Sequence, residues 1–212
     1  MDRKRLVKRA FDLAVALPLL VVLSPLFLLI ALLIRLDSPG PALYRQERIG
    51  ENGRPFTMFK FRSMYQDADP RVHEAYVTDL IRRNVSPQHE NGGRAVLKQQ
   101  QDPRVTRVGR VIRKTSLDEL PQLFNVLRGE MSLVGPRPAL AYEVAVYKDW
   151  HRRRLAALPG ITGLWQIVGR NQVSFDDMVR LDIEYIEHQS LLYDIAILLR
   201  TPWAVLTGRG AG

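Results

Sequence analysis

Residues Leu13 to Ile34 are 22 consecutive positions without a charged side chain, and that run constrains what the chain can fold into more than any other feature. About 18 or more apolar residues is the length at which a helix can bridge a hydrocarbon core. The run exceeds the roughly 7–15 residues of a signal-peptide apolar region, and no small-x-small cleavage pattern follows it. A membrane segment is therefore expected. Ahead of it, Arg3, Lys4, Arg5, Lys8 and Arg9 suit an anionic cytoplasmic leaflet. Behind it the chain is basic again, through Arg35, Arg45, Arg48, Arg54, Lys60 and Arg62, so both flanks read as cytoplasmic. Ser24-Pro25 lies in the middle, where a proline removes one intrahelical N–H and leaves the Val21 carbonyl without its donor. The Ser24 hydroxyl can serve a carbonyl freed in this way. Two readings stay open, a helix-break-helix that enters and leaves by one face and a kinked helix that crosses; the first fits both basic flanks.

Over 212 residues, 31 Lys and Arg against 22 Asp and Glu give a net charge of +9, an excess that calls for an anionic partner: nucleic acid, phospholipid or a phosphorylated substrate. The absence of cysteine excludes a disulfide framework, a thiolate nucleophile and a Cys-ligated metal site. A mean hydropathy of −0.13 excludes a multi-span membrane protein.

The pattern divides the chain at 36/37. Residues 1–36 form the basic N-terminus and membrane segment, and 37–212 form a compact body with membrane-associated C-terminal helices. In that body, Leu43 to Arg48 and Pro55 to Met64 read as short strands, the second with Lys60 and Arg62 on one side. A short helix is expected around Val72 to Arg83, then a polar loop through residues 87–93. Val105, Val108 and Ile112 mark another short helix, with a cationic face of Arg107, Arg110 and Lys114. The scattered histidines, His73, His89, His151 and His188, suggest no metal cluster. The apolar stretch from Leu191 to Leu206, edged by Arg200 and Trp203, is either an interfacial helix or a core helix.

Three constellations carry candidate chemistry. In Arg113-Lys114-Thr115-Ser116-Leu117-Asp118-Glu119, the Ser116-x-x-Glu119 spacing is that of a capping box. The functional alternative is a carboxylate kept ionised by a helix start and by Arg113 and Lys114, able to bind Mg²⁺ or attack phosphorus. In Gly135-Pro136-Arg137-Pro138 a strand runs into a glycine, and two prolines fix the backbone around an arginine that can serve as an anion fork or simply mark a turn. Pro159 to Asn171 is a Gly-punctuated stretch in which Arg170 could meet a phosphate. Ser174-Phe175-Asp176-Asp177 then caps a helix to about Glu187, its acids reading as capping and surface charge.

Taken together, KFRSM (Lys60 to Met64), RKTSLDELPQLFNVLRGEMSLVGPRP (Arg113 to Pro138), PGITG (Pro159 to Gly163) and GRN (Gly169 to Asn171) resemble the bacterial sugar transferases of the small monotopic phosphoglycosyl transferase family. The resemblance runs from Lys8 to about Leu199. It implies an α+β fold: an N-terminal re-entrant membrane helix broken at Ser24 and Pro25, then a compact, mainly helical cytosolic domain with a few short strands and interfacial amphipathic helices. It implies an enzyme at the cytoplasmic face of the bacterial inner membrane that passes a sugar-1-phosphate from a UDP-sugar to polyprenyl phosphate. Asp118 would be the nucleophile, with Glu119 assisting at Mg²⁺ or orienting it, UMP the leaving group and a phosphosugar-aspartyl adduct the intermediate. Lys60, Arg62, Arg113, Arg137 and Arg170 would bind substrate, Arg137 on the nucleotide side; Asp118 and Glu119 would hold the metal. A homo-oligomer is compatible with this reading; nucleic acid has no place in it.

Two departures stand out. Val168 occupies a position where relatives often carry a small polar residue. The 68–98 segment and Gly163-Leu164-Trp165-Gln166 look like the hexose-1-phosphate subgroup, whose larger members carry a multi-span N-terminal region; a stand-alone catalytic unit using a glucose or galactose donor is expected. The rival reading is a membrane-tethered basic adaptor that binds anionic lipid or nucleic acid without catalysis.

Overall fold

The structure, a computed structural model, is described for residues 3–66, 71–84, 103–168 and 173–206. The expected loop through 87–93, His89, and the Gly169-Arg170-Asn171 motif lie outside the described residues. Helix α1 (Arg3–Asp37) leads into a hairpin of β1 (Leu43–Ile49) and β2 (Pro55–Phe61). Helices α2 (Arg71–Arg83), α3 (Arg107–Lys114) and α4 (Gln122–Arg128) follow, then β3 (Ser132–Val134), α5 (Ala141–Ala145), β4 (Gly160–Thr162), α6 (Leu164–Val168), α7 (Phe175–Glu187) and α8 (Leu191–Leu206). The body is thus mixed helix and sheet, as expected. The hairpin is antiparallel, Tyr44 opposite Lys60, and turns where Asn52 and Gly53 take left-handed backbone angles. The short β3 and β4 pair in parallel.

Helix α1 is long and apolar enough to cross a membrane. Ser24-Pro25 interrupts its hydrogen-bond ladder without ending the helix: the Ser24 hydroxyl donates to the Val21 carbonyl at 2.8 Å, replacing the N–H that Pro25 lacks. The segment is one helix through residue 25, with the expected break at Ser24-Pro25 present as a missing ladder bond and not as a helix end. Asp12, Ala16, Ile30 and Ile34, at helical spacing, are buried against the body. The opposite stripe, with Val22, Leu28 and Leu36, is 73–74% exposed.

Both ends of α1 are tied to the same body. Near its start, Lys8 Nζ forms an ion pair with buried Asp194 of α8 at 2.6 Å and donates to the Val134 carbonyl at 3.1 Å. Arg9 donates to the Val126 and Leu127 carbonyls, where α4 ends at Gly129, and Asp12 accepts the Leu133 N–H at 3.2 Å. At the far end, Asp37 accepts the Val108 N–H of α3 at 2.9 Å. Arg62 donates to the Ser38 carbonyl and hydroxyl at 2.7 and 3.0 Å and to Pro39. Strand β2 has ended at Phe61, so Arg62 leaves the alternation that would have pointed it the same way as Lys60.

Helix α7 begins as expected, with Ser174 accepting the Asp177 N–H. Its acids are not all surface charge. Asp176 pairs with fully buried His151 at 3.0 Å, and Asp182 pairs with buried Arg154 at 2.6 Å. Helix α8 meets both descriptions given to its sequence: Asp194 and Ile197 are buried, while Leu192, Leu199 and Trp203 are exposed.

Helix α3 approaches the chain after β2 so closely that a Cβ on Gly109 would run into the Ser63 carbonyl. Because the obstacle is backbone, Gly109→Ala is expected to lower stability by about 1–3 kcal/mol. Chemical unfolding of the detergent-solubilised protein followed by circular dichroism checks this; an unchanged midpoint would show that α3 can move aside.

Candidate active site

The capping box expected at Ser116 does not form. Ser116 takes a left-handed conformation with φ of 56°, and its side chain makes no capping bond. Leu117–Glu119 is a single 3₁₀ turn, after which α4 starts behind Pro121. The two carboxylates are thereby released from capping. Asn125, completely buried, fixes α4 on the hairpin: its Oδ1 accepts the Phe59 N–H at 3.0 Å and its Nδ2 donates to the Thr57 carbonyl at 2.7 Å. That brace brings Lys60, the next residue of β2, against the dyad, and its Nζ meets Glu119 Oε1 at 2.8 Å.

The opposite wall is Pro136-Arg137-Pro138. Strand β3 delivers it through Gly135, which lies so close to Gly160 that neither has room for a Cβ. The Pro136 carbonyl accepts the Gly160 N–H at 2.8 Å, and the Ile49 N–H of β1 reaches the Ala139 carbonyl at 2.8 Å. With its backbone held this way, Arg137 is the exposed residue of an otherwise buried run. A cleft between the walls is lined by Arg48, Lys60, Glu119, Gln122, Arg137 and Gln166.

The adjacent carboxylates are driven apart electrostatically. Burial raises Asp118, and Glu119 raises it further; Lys60 and Arg113 only partly oppose this, leaving it at about 6. The cations beside it, Arg113 and Lys114, were expected to favour the ionised form and keep the value low, but burial and the neighbouring carboxylate outweigh them and raise the carboxyl above its ordinary value. Burial also pushes Glu119 up, but Lys60, Arg137 and Arg48 together hold it below its ordinary value. At neutral pH both are ionised, Asp118 the more basic.

The structure therefore brings together Asp118, Glu119, Lys60 and Arg137, with Arg113 acting on Asp118 through its charge. Arg62, expected at the substrate, is instead buried against the end of α1 and does not line the cleft. Arg170 lies outside the described residues. Arg48, Gln122 and Gln166 were not foreseen as lining the site: Arg48 sits in a largely polar strand that singles out no residue, and Gln122 and Gln166 were seen only as members of longer motifs.

Comparison with known proteins places this architecture. The family model for bacterial sugar transferases matches residues 3–208, and the chain belongs to that family. It is 44% identical over 204 residues to the exopolysaccharide production protein ExoY of Sinorhizobium fredii, covering 96% of this chain and 87% of that one. It is also 44% identical over 207 residues to the undecaprenyl-phosphate galactose phosphotransferase of Salmonella typhimurium, covering 98% of this chain and 42% of that protein. Identity to the undecaprenyl-phosphate glucose phosphotransferase of Komagataeibacter xylinus is 47% over 208 residues, 92% of this chain and 35% of the other. The chain thus spans less than half the length of these two phosphotransferases.

Titration offers a direct check on the dyad. In metal-free protein the Asp118 carboxyl is expected to lose its proton with a midpoint of about 6. Because the Lys60 charge favours the ionised form, Lys60→Met should move that midpoint upward. Carboxyl ¹³C NMR on labelled aspartate reads both; a midpoint below 4, or a downward move in Lys60→Met, would contradict this assignment.

Proposed function

We propose that the protein is a phosphoglycosyl transferase that moves hexose-1-phosphate from UDP-glucose or UDP-galactose to undecaprenyl phosphate, beginning the assembly of an exopolysaccharide. The observation that carries this reading is the Asp118–Glu119 pair, free of capping duty and faced by Lys60, Arg113 and Arg137. The names of the relatives supply the acceptor and the class of sugar.

Asp118, the more basic carboxylate, attacks the β-phosphorus of the donor. A bond forms between its oxygen and that phosphorus, the bond to the bridging oxygen breaks, and UMP leaves with the electron pair. A phosphate oxygen of the polyprenyl acceptor then attacks the same phosphorus, breaking the O–P bond of the aspartyl acyl phosphate and restoring the carboxylate. Lys60 holds Glu119 beside the reaction and contributes positive charge where negative charge builds up. Arg137, on its clamped arch, takes the nucleotide phosphate as a bidentate fork.

The dyad suits Mg²⁺ of the kind that protein holds through one or two carboxylates and substrate phosphates complete. No group of three or more His, Cys, Asp or Glu side chains able to form an all-protein cage exists among the described residues. Asp118 and Glu119 would hold the ion, which when bound neutralises diphosphate charge.

The architecture of α1 supports a monotopic placement at the cytoplasmic face. Lys8 and Ile34 are 26 residues apart, roughly 39 Å along a straight helix, which exceeds a ~30 Å hydrocarbon core. Yet both regions are bonded to one body, which supports a placement with both flanks on that body's side of the membrane. The exposed stripes of α1 and α8 then face lipid, with the cleft at the depth of the acceptor phosphate.

Two experiments test the reading. Asp118→Asn should reduce UMP release from UDP-hexose by on the order of 10³-fold or more while keeping the wild-type circular dichroism spectrum; substantial residual activity would remove Asp118 from the nucleophile's role. For topology, single cysteines at Lys4 and Pro41, in a chain that has none, should both stay unlabelled by an impermeant thiol reagent in intact cells. Labelling at either position would show that α1 crosses.

A further inference from the structure

Three successive carbonyls of the Pro136-Arg137-Pro138 arch face three separate donors: the Gly160 N–H at 2.8 Å, Arg154 Nη2 at 3.4 Å and Arg48 Nη1 at 3.0 Å. Two of the three residues are prolines without an N–H, so these acceptors are the arch's main polar handles. Of the three donors Gly160 and Arg48 also line the cleft, and Arg48 is the one that brings a charge there, beside Lys60, Glu119 and Arg137. It projects from β1 with 5% exposure, its Nε and Nη2 donating to Gln46 Oε1 at 3.2 and 2.7 Å. Burial and the charge of Arg137 lower its pKa to about 10, so it stays protonated at neutral pH. The acids that act on it are Glu143, whose Oε2 accepts the Leu140 N–H, and Glu119, already paired with Lys60. Among the described residues neither comes within ion-pair distance of Arg48. A buried guanidinium held by neutral acceptors, with a second guanidinium beside it, is a site that an arriving anion completes.

We propose that Arg48 is a positioning residue for the donor: by holding the Pro138 carbonyl and placing a fixed positive charge behind Arg137, it directs the Arg137 side chain into the cleft and prepares that wall for the diphosphate of a nucleotide sugar. The inference rests on the transferase reading above and deepens it. It assigns a role to a residue whose position on β1 carries no motif of its own. Lysine cannot replace the fork, because one ammonium cannot serve Pro138 and Gln46 in the same planar geometry.

The test measures donor KM and kcat for wild type, Arg48→Lys, Arg137→Lys and the double variant, with thermal unfolding of each. Arg48→Lys is expected to raise donor KM about 10-fold and to change kcat less than about threefold. Added to Arg137→Lys it should cost less than about a further threefold, because it acts through Arg137. An unchanged donor KM in Arg48→Lys, or losses that multiply in the double variant, would overturn the proposal and reduce Arg48 to a fold residue. Should Arg48→Lys not fold, Gln46→Ala, which frees one edge of the guanidinium and leaves the backbone of β1 intact, is expected to raise donor KM about threefold; no rise would overturn the proposal equally. A wild type that turns over no UDP-hexose would overturn the transferase reading and this inference with it, whereas an active wild type with an indifferent Arg48 overturns the inference alone.

Discussion

Everything in this molecule hangs from the two-ended attachment of α1. At one end the buried Lys8–Asp194 pair joins α1 to α8 and, through the Val134 carbonyl, to the strand that delivers the Pro136-Arg137-Pro138 arch. At the other end Asp37 joins it to α3, the helix that ends at Arg113 and Lys114 just before the dyad, and Arg62 joins it to the end of β2, the strand that carries Lys60. The two walls of the cleft are thus anchored to opposite ends of one helix. Removing one partner of a buried pair such as Lys8–Asp194 typically costs about 3–5 kcal/mol, because the other charge is left uncompensated. On the monotopic reading, depth in the membrane and geometry of the site are set by the same contacts.

Within the cleft the governing quantity is charge. Two neighbouring carboxylates in partial burial would repel each other, and the site resolves this unequally: Lys60 binds Glu119 directly, while Asp118 has no such partner among the described residues and becomes the more basic of the two. Environments that push adjacent acids apart give them different roles. An ionised, poorly solvated carboxylate faced by cations is prepared for a diphosphate substrate, and the apolar stripes of α1 and α8 would bring it to a lipid-borne acceptor. An adaptor that merely binds polyanions would have no use for that asymmetry.

Much of this was legible in the residues. The apolar run gave α1, the service of the Val21 carbonyl by Ser24 followed from the missing N–H of Pro25, and the long Arg113 to Pro138 string gave both walls of the site. The failures have a common physical origin in long-range packing. Local spacing favoured a capping box at Ser116, but the turn before α4 uses a left-handed residue and gives Glu119 to Lys60, 59 positions away. Strict alternation would have kept Arg62 beside Lys60, but the end of α1 takes it. Arg48 and Asn125 were invisible because their value lies in carbonyls and N–H groups of distant segments, which no local pattern encodes.

The central claim is that Asp118 carries the sugar phosphate between donor and acceptor. The most direct measurement is intact-protein and peptide mass spectrometry of the wild type incubated with Mg²⁺ and UDP-glucose or UDP-galactose in the absence of polyprenyl phosphate. The account predicts UMP release of at most one equivalent and a hexose-phosphate adduct on Asp118 that disappears when acceptor is added. Turnover that requires donor and acceptor together, with no adduct on Asp118 at any time, would contradict it.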